Sequence, residues 1–307
     1  MPGEPIATSL RPSPAKGRRF AGFPVLSDYW ALTKPEVNFL ILITTLAGFY
    51  LGCASAGRLF SFLALFNALL GTLLVASGTA TLNQYIERRF DAQMRRTARR
   101  PLAAGRLEPL AVLAFGILLS VTGGVYLAVA ANALASVVAL LTLLSYLFLY
   151  TPLKRRTPLC VLIGAIPGAM PPLIGWAAAS GRLNMHAWLL YAIVFLWQFP
   201  HFMAIAWMYR EDYDRAGYLI LPKGRARGAF VVLQTVLPLV ALVAISVLQD
   251  PIRHPVILPW AGLVLGLGFF YLGLEFVQQR SREAARRLLA ASIIYLPLLF
   301  ALRVAFL

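Results

Sequence analysis

FSFLALFNALLGTLLVASGTATLNQYIERRFDAQMRRTARRPLAAGRLE, residues 60–108, carries the reading of the whole chain. Residues 60–82 hold no charged side chain. A helix of that length crosses the hydrocarbon core of a bilayer, about 30 Å thick. The stretch then turns abruptly polar and basic. Working outward, eight further apolar runs repeat the first half of the pattern, at roughly 37–56, 109–130, 134–152, 158–179, 187–209, 229–248, 256–278 and 288–305. The predicted fold class is therefore all-α, a polytopic membrane protein of nine transmembrane helices.

Composition agrees. Of 307 residues 60% are hydrophobic and 13% charged, with a mean hydropathy of +0.74, whereas a soluble domain carries about 25% charged residues. The formal charge of +16 would suggest nucleic acid in a soluble protein, but its distribution argues otherwise. Of the 28 Lys and Arg residues, 24 fall before the first span, in residues 1–36, and in the connections 83–108, 153–157, 210–228 and 279–287; only Arg58, Arg182, Arg253 and Arg303 fall on the opposite side. Basic residues collect on the cytoplasmic side of membrane proteins, so the N-terminus is expected inside, the C-terminus outside, and the partner is a lipid bilayer rather than nucleic acid. The first 20 residues read as a disordered basic arm with no apolar leader run behind Met1, leaving 21–307 as one intramembrane domain. Residues 27–37 read as a short interfacial helix capped by Ser27 and ended by Lys34-Pro35. Cys53 and Cys160 fall at opposite faces, which argues against a disulfide.

The two long connections follow the second and sixth spans, and they hold the chemistry. Asn83, Glu87 and Asp91 recur every four residues, so on a helix they share one face at about 6 Å per step. An amide and two carboxylates at a membrane surface suit Mg²⁺, which takes one or two carboxylates and completes its shell with water and phosphate oxygens. Arg95, Arg96, Arg99 and Arg100 follow, and guanidinium groups grip oxyanions. The same residues also suit a solvated helix end with carboxylates paired to arginines. In the second connection Glu211, Asp212 and Asp214 cluster between Arg210 and Arg215. Two facing acid clusters with arginines would hold a diphosphate between them, and Lys154, Arg155 and Arg156 after the fourth span offer further oxyanion ligands or plain membrane anchors. His201 follows Pro200 inside the sixth span and is expected to point into the bundle, toward a metal, a substrate or a freed backbone carbonyl.

NxxxExxxD at 83–91, RTARRPLAAGRL at 96–107 and YREDYDRAGYLILP at 209–222 resemble the intramembrane (UbiA-like) prenyltransferases. DYWALTKPEV (28–37), YTPLKRRTPLCVLIGAIPGAMPPLIGW (150–176) and FLWQFPHFMAIAWMYREDY (195–213) resemble their haem-farnesylating members. The resemblance runs from about residue 28 to the last span. It implies a helical bundle around a membrane-open cavity, capped by the two connections, in a cell inner membrane with the active site facing the cytoplasm. It implies farnesyl diphosphate and haem b as substrates, Mg²⁺ as cofactor and haem O as product, passed toward a haem A synthase or a terminal oxidase assembly. The site it implies has Asn83, Glu87, Asp91 and Asp212 as catalytic residues and the metal on Asn83, Glu87, Asp91, Glu211 and Asp212. Substrate falls to Arg96, Arg100, Lys154, Arg155, His201, Tyr209, Arg210 and Tyr213.

There are three departures from the family pattern. Glu87 stands where Asp is usual, Tyr209 and Tyr213 stand where the second motif commonly has two Asp, and Glu36 follows Lys34-Pro35 where a basic residue is expected. The second departure leaves the number of metal ions open and favours haem-directed members over those acting on quinone precursors. A transporter is the rival from another class, since spans broken by Gly and Pro, as at 164–175, also suit a transport path. Ionisable residues are scarce at mid-membrane, however, where coupling would need them.

Overall fold

The structure, a computed structural model, describes residues 23–247 and 257–306. The expected N-terminal arm, 1–20, lies outside the described residues. The described residues form helices joined by short connections, with no strand among them. Helix α1 (Phe23–Leu32) precedes α2 (Pro35–Ser55), α3 (Phe62–Asp91) and α4 (Pro109–Ala130). Helix α5 (Ala133–Leu144) continues through a π-helical segment (Ser145–Tyr150) into α6 (Thr151–Leu153), and α7 (Cys160–Gly168) and α8 (Pro171–Ser180) form the next crossing. Then come α9 (Met185–Met208), the short α10 (Arg210–Arg215), α11 (Ala226–Val247), α12 (Ile257–Gln279) and α13 (Arg282–Ala305). Nine of these crossings among the described residues are long and apolar enough to span a membrane.

Local chemistry explains the ends. Ser61, Asn132, Asn184 and Ser281 each accept a hydrogen bond from a backbone N–H of the first turn they precede, which satisfies one of the donors a helix start leaves open. Ser27 does not play that part: α1 begins four residues earlier, so Ser27 sits inside the helix. The break between α1 and α2 is at Lys34, whose backbone is left-handed (φ 51°, ψ 64°). A side chain is strained there, the more so before a proline. Pro35 then starts α2 with its φ already set. Asn38 straddles the bend, donating from Nδ2 to the Thr33 carbonyl and to Ser77 Oγ, both at 2.9 Å.

Small residues let the spans approach. A Cβ on Gly48 or Gly175 would run into the backbone of Pro172 or Thr45, so α2 and α8 touch backbone to backbone; Gly78 and Gly123 do the same for α3 against α4. The crossing made by α7 and α8 is the most buried of the nine and forms the centre of the bundle. At 30 residues α3 extends about 45 Å, well beyond the span expected at 60–82. Its last three turns leave the apolar layer as helix and carry the first charged motif with them.

Candidate active site

On those last turns of α3, Asn83, Glu87 and Asp91 are all buried on one face. Each is held differently. Asn83 donates from Nδ2 to Thr151 Oγ1 at 3.1 Å and accepts at Oδ1 from Lys34 Nζ at 3.4 Å. Glu87 accepts from Lys154 Nζ at both oxygens, 2.9 and 3.0 Å, and from the Tyr218 hydroxyl at 3.0 Å. Asp91 is paired through Oδ2 with Arg100 at 2.7 Å. Its other oxygen, Oδ1, is buried with no hydrogen-bond partner among the described residues.

Three basic side chains, Lys34, Arg100 and Lys154, therefore ring this face. Burial lowers the Lys34 ammonium to about 7, and the charges of Arg100 and Lys154 add to the effect. Burial would lower Lys154 as well, but the Glu87 carboxylate holds it well above the usual lysine range. Arg100 reaches in from the connection after α3, where Thr97 Oγ1 donates to the Asp91 carbonyl at 2.8 Å and ties that loop to the helix end.

The second connection docks on the first. Asp212 is buried; its Oδ2 accepts from the Arg96 backbone N–H at 3.3 Å and its Oδ1 pairs with Arg215 at 3.2 Å. The Arg96 guanidinium lies over the rings of Tyr209 (5.1 Å) and Tyr213 (6.0 Å) and donates to the Tyr213 hydroxyl at 3.4 Å. Leu219 N–H donates to the Lys154 carbonyl at 2.7 Å, so the same connection also holds the end of α6. Three of the residues expected at the site, Glu211, Arg210 and Arg155, are placed elsewhere. Glu211 is 79% exposed and reaches only Arg210, at 3.9 Å. Arg210 folds back over Trp207, and Arg155 lies over Phe90 on the outside of the cluster. His201 is well inside the bundle. Pro200 does not interrupt α9, and His201 bonds Ser292 rather than a freed carbonyl.

From Lys34 a cavity of about 310 Å³ runs into the bundle. Tyr146 and Tyr150 line it from the π-helical segment, with Asn38, Thr72, Gly164, Trp197, Gln198 and His201 among the other walls. A charged mouth over an apolar, aromatic interior is the shape that takes a molecule with an anionic head and a hydrocarbon tail.

Comparison with known proteins decides the family. The profile of the UbiA prenyltransferase family matches residues 41–298. The chain belongs to that family. It is similar to the Protoheme IX farnesyltransferases of Solibacter usitatus, at 45% identity over 90% of this chain and 97% of the relative, and of Salinibacter ruber, at 41% over 91% and 98%. Among solved structures it superposes on a digeranylgeranylglyceryl phosphate synthase (TM-score 0.70, 17% identity, 92% of this chain and 99% of that one). It also superposes on a UbiA homologue from Archaeoglobus fulgidus bound to GPP and Mg²⁺ (TM-score 0.64, 14% identity, 90% and 99%). This UbiA family member is thus a multi-pass membrane prenyltransferase.

Two residues of the cluster escape sequence reasoning. Lys34 reads as a helix stop, and Tyr218 only as one residue of the second motif, 209–222, with no role of its own. Their partners Asn83 and Glu87 lie 49 and 131 positions away. The one signal for Lys34 is its place before Pro35, where a helix break turns a side chain inward.

Proposed function

We propose that the protein transfers the farnesyl group of farnesyl diphosphate to a vinyl group of haem b, with addition of water, giving haem O and diphosphate. The unpartnered, buried Oδ1 of Asp91 carries the reading of the mouth as a metal-assisted diphosphate site. The names of relatives that match almost end to end carry the choice of acceptor. The donor set, two carboxylates one helical turn apart with an amide on the same face, suits Mg²⁺, which takes one or two carboxylates and completes its shell with water and phosphate oxygens. Asn83, Glu87 and Asp91 would hold it, with Asp212 behind the opposite wall. Bound there, the ion supplies neutralisation of the charge that grows on the diphosphate as the allylic C–O bond breaks.

The chain's own residues do the rest. Lys34, Arg100 and Lys154 present N–H donors to the leaving diphosphate, so that charge develops against groups already in place. Tyr146 and Tyr150 give the allylic cation π-faces inside the cavity, while the docked connections keep water from the mouth. The haem vinyl group captures the cation, and the cation so formed takes one water and loses one proton. With 24 of 28 basic residues on its side, the mouth faces the cytoplasm of a cell inner membrane. The product then passes to a haem A synthase or a terminal oxidase assembly.

The test uses purified full-length protein with farnesyl diphosphate and Mg²⁺, and either haem b or 4-hydroxybenzoate as acceptor. Diphosphate release that needs haem b and stops with EDTA supports the proposal. Release with 4-hydroxybenzoate alone moves the protein to the quinone branch of the family.

A further inference from the structure

Inside the membrane layer the cavity wall holds one imidazole, and its hydrogen bonds fix which nitrogen carries the proton. Ser292 Oγ lies 2.6 Å from the Leu289 carbonyl. A carbonyl only accepts, so the single hydroxyl proton of Ser292 is spent there. Ser292 Oγ also lies 2.7 Å from His201 Nδ1, and with its proton already engaged it accepts the N–H of that nitrogen. His201 is therefore the Nδ1–H tautomer. Its Nε2 lone pair points away from Ser292, has no hydrogen-bond partner among the described residues, and belongs to a ring that lines the cavity. Trp197 locks the arrangement: its indole stacks on the imidazole at 4.7 Å and 28°, and its N–H donates to the Ser292 carbonyl at 2.8 Å.

An imidazole whose Nδ1–H is committed to a fixed acceptor, with Nε2 bare, is the form in which proteins present histidine to a metal, the iron of a haem included. We propose that His201 Nε2 is the axial ligand of the haem iron of the acceptor. The inference rests on haem b being that acceptor. Among the described residues lining the cavity there is no second histidine and no cysteine or methionine. His201 is seven residues from the loop end of α9, about 10 Å along the helix axis.

The experiment adds ferric haem b, without farnesyl diphosphate, to the full-length protein in detergent and records absorption and electron paramagnetic resonance spectra. The wild type is expected to show nitrogen-ligated haem. His201→Gly should lose that signature and regain it with free imidazole, and His201→Met should shift it toward a thioether-ligated form. Return of the signal with imidazole shows that the variant is folded. Haem held by His201→Gly with an unchanged spectrum overturns the inference and leaves the acceptor assignment standing. A wild-type protein that binds no haem overturns both.

Discussion

Lys154 Nζ lies 2.9 and 3.0 Å from the two carboxylate oxygens of Glu87, so an ammonium holds the middle carboxylate of the Asn83–Glu87–Asp91 face. Both side chains are largely buried. Removing one member of such a pair leaves a buried charge uncompensated, at about 3–5 kcal/mol. Lys154→Gln should lower the melting temperature in detergent and abolish product. The double variant Glu87→Gln, Lys154→Gln should recover much of the stability and none of the activity. A double variant as unstable as Lys154→Gln alone would show that the pair is not what the lysine stabilises.

Asp91 has one oxygen paired and one bare. Asp91→Asn keeps the shape of the side chain and removes its charge, while Arg100 and Thr97 retain their positions. Product formation should fall by about 100-fold or more, the scale seen when one preorganised electrostatic contact to a transition state is lost, with normal membrane insertion. Near-normal turnover would remove Asp91 from the site.

Arg96 is held by ring faces and a hydroxyl where the family pattern commonly has carboxylates. Cation–π contacts at exposed positions are worth about 0.5–1 kcal/mol each. Tyr213→Phe, which keeps the ring, should change the KM for farnesyl diphosphate less than twofold. Tyr213→Ala should raise it severalfold with little change in kcat, and Arg96→Ala should exceed both. Equal effects of Phe and Ala at 213 would assign the role to the hydroxyl.

Asp28 on α1 pairs twice with Arg106, both contacts at 2.9 Å, and Arg106 also donates to the Arg99 carbonyl. This ties α1 to the connection that carries Arg96 and Arg100. The pair is partly exposed, so its worth is about 1 kcal/mol or less. Asp28→Asn should raise the KM for farnesyl diphosphate a fewfold at low salt and hardly at all at high salt. The charge-swapped pair Asp28→Arg, Arg106→Asp should restore it. No difference between the single and swapped variants would mean that α1 does not position the loop.

Period and polarity made the spans and the first motif readable. A spacing of four aligns Asn83, Glu87 and Asp91 on any helix, and α3 remains helical through Asp91. The length of α3 was less legible, because hydropathy marks where the apolar layer ends and not where hydrogen bonding does. The second motif could be located but not oriented. Glu211 and Asp212 are adjacent in sequence, and only the docking of α10 against Arg96 turns Asp212 inward and leaves Glu211 in the open. Lys34 and Tyr218 were invisible because their meaning lies in partners far along the chain.

The most direct test of the account is the mass of the product. The chain would be expressed in membranes lacking their own haem O synthase, with haem b, farnesyl diphosphate and Mg²⁺ supplied, and the extracted haems separated and weighed. The account predicts a new haem heavier than haem b by one farnesyl group and one water, absent with EDTA and absent from the Asp91→Asn variant. Well-inserted protein that cleaves farnesyl diphosphate and leaves haem b unchanged in mass would contradict it.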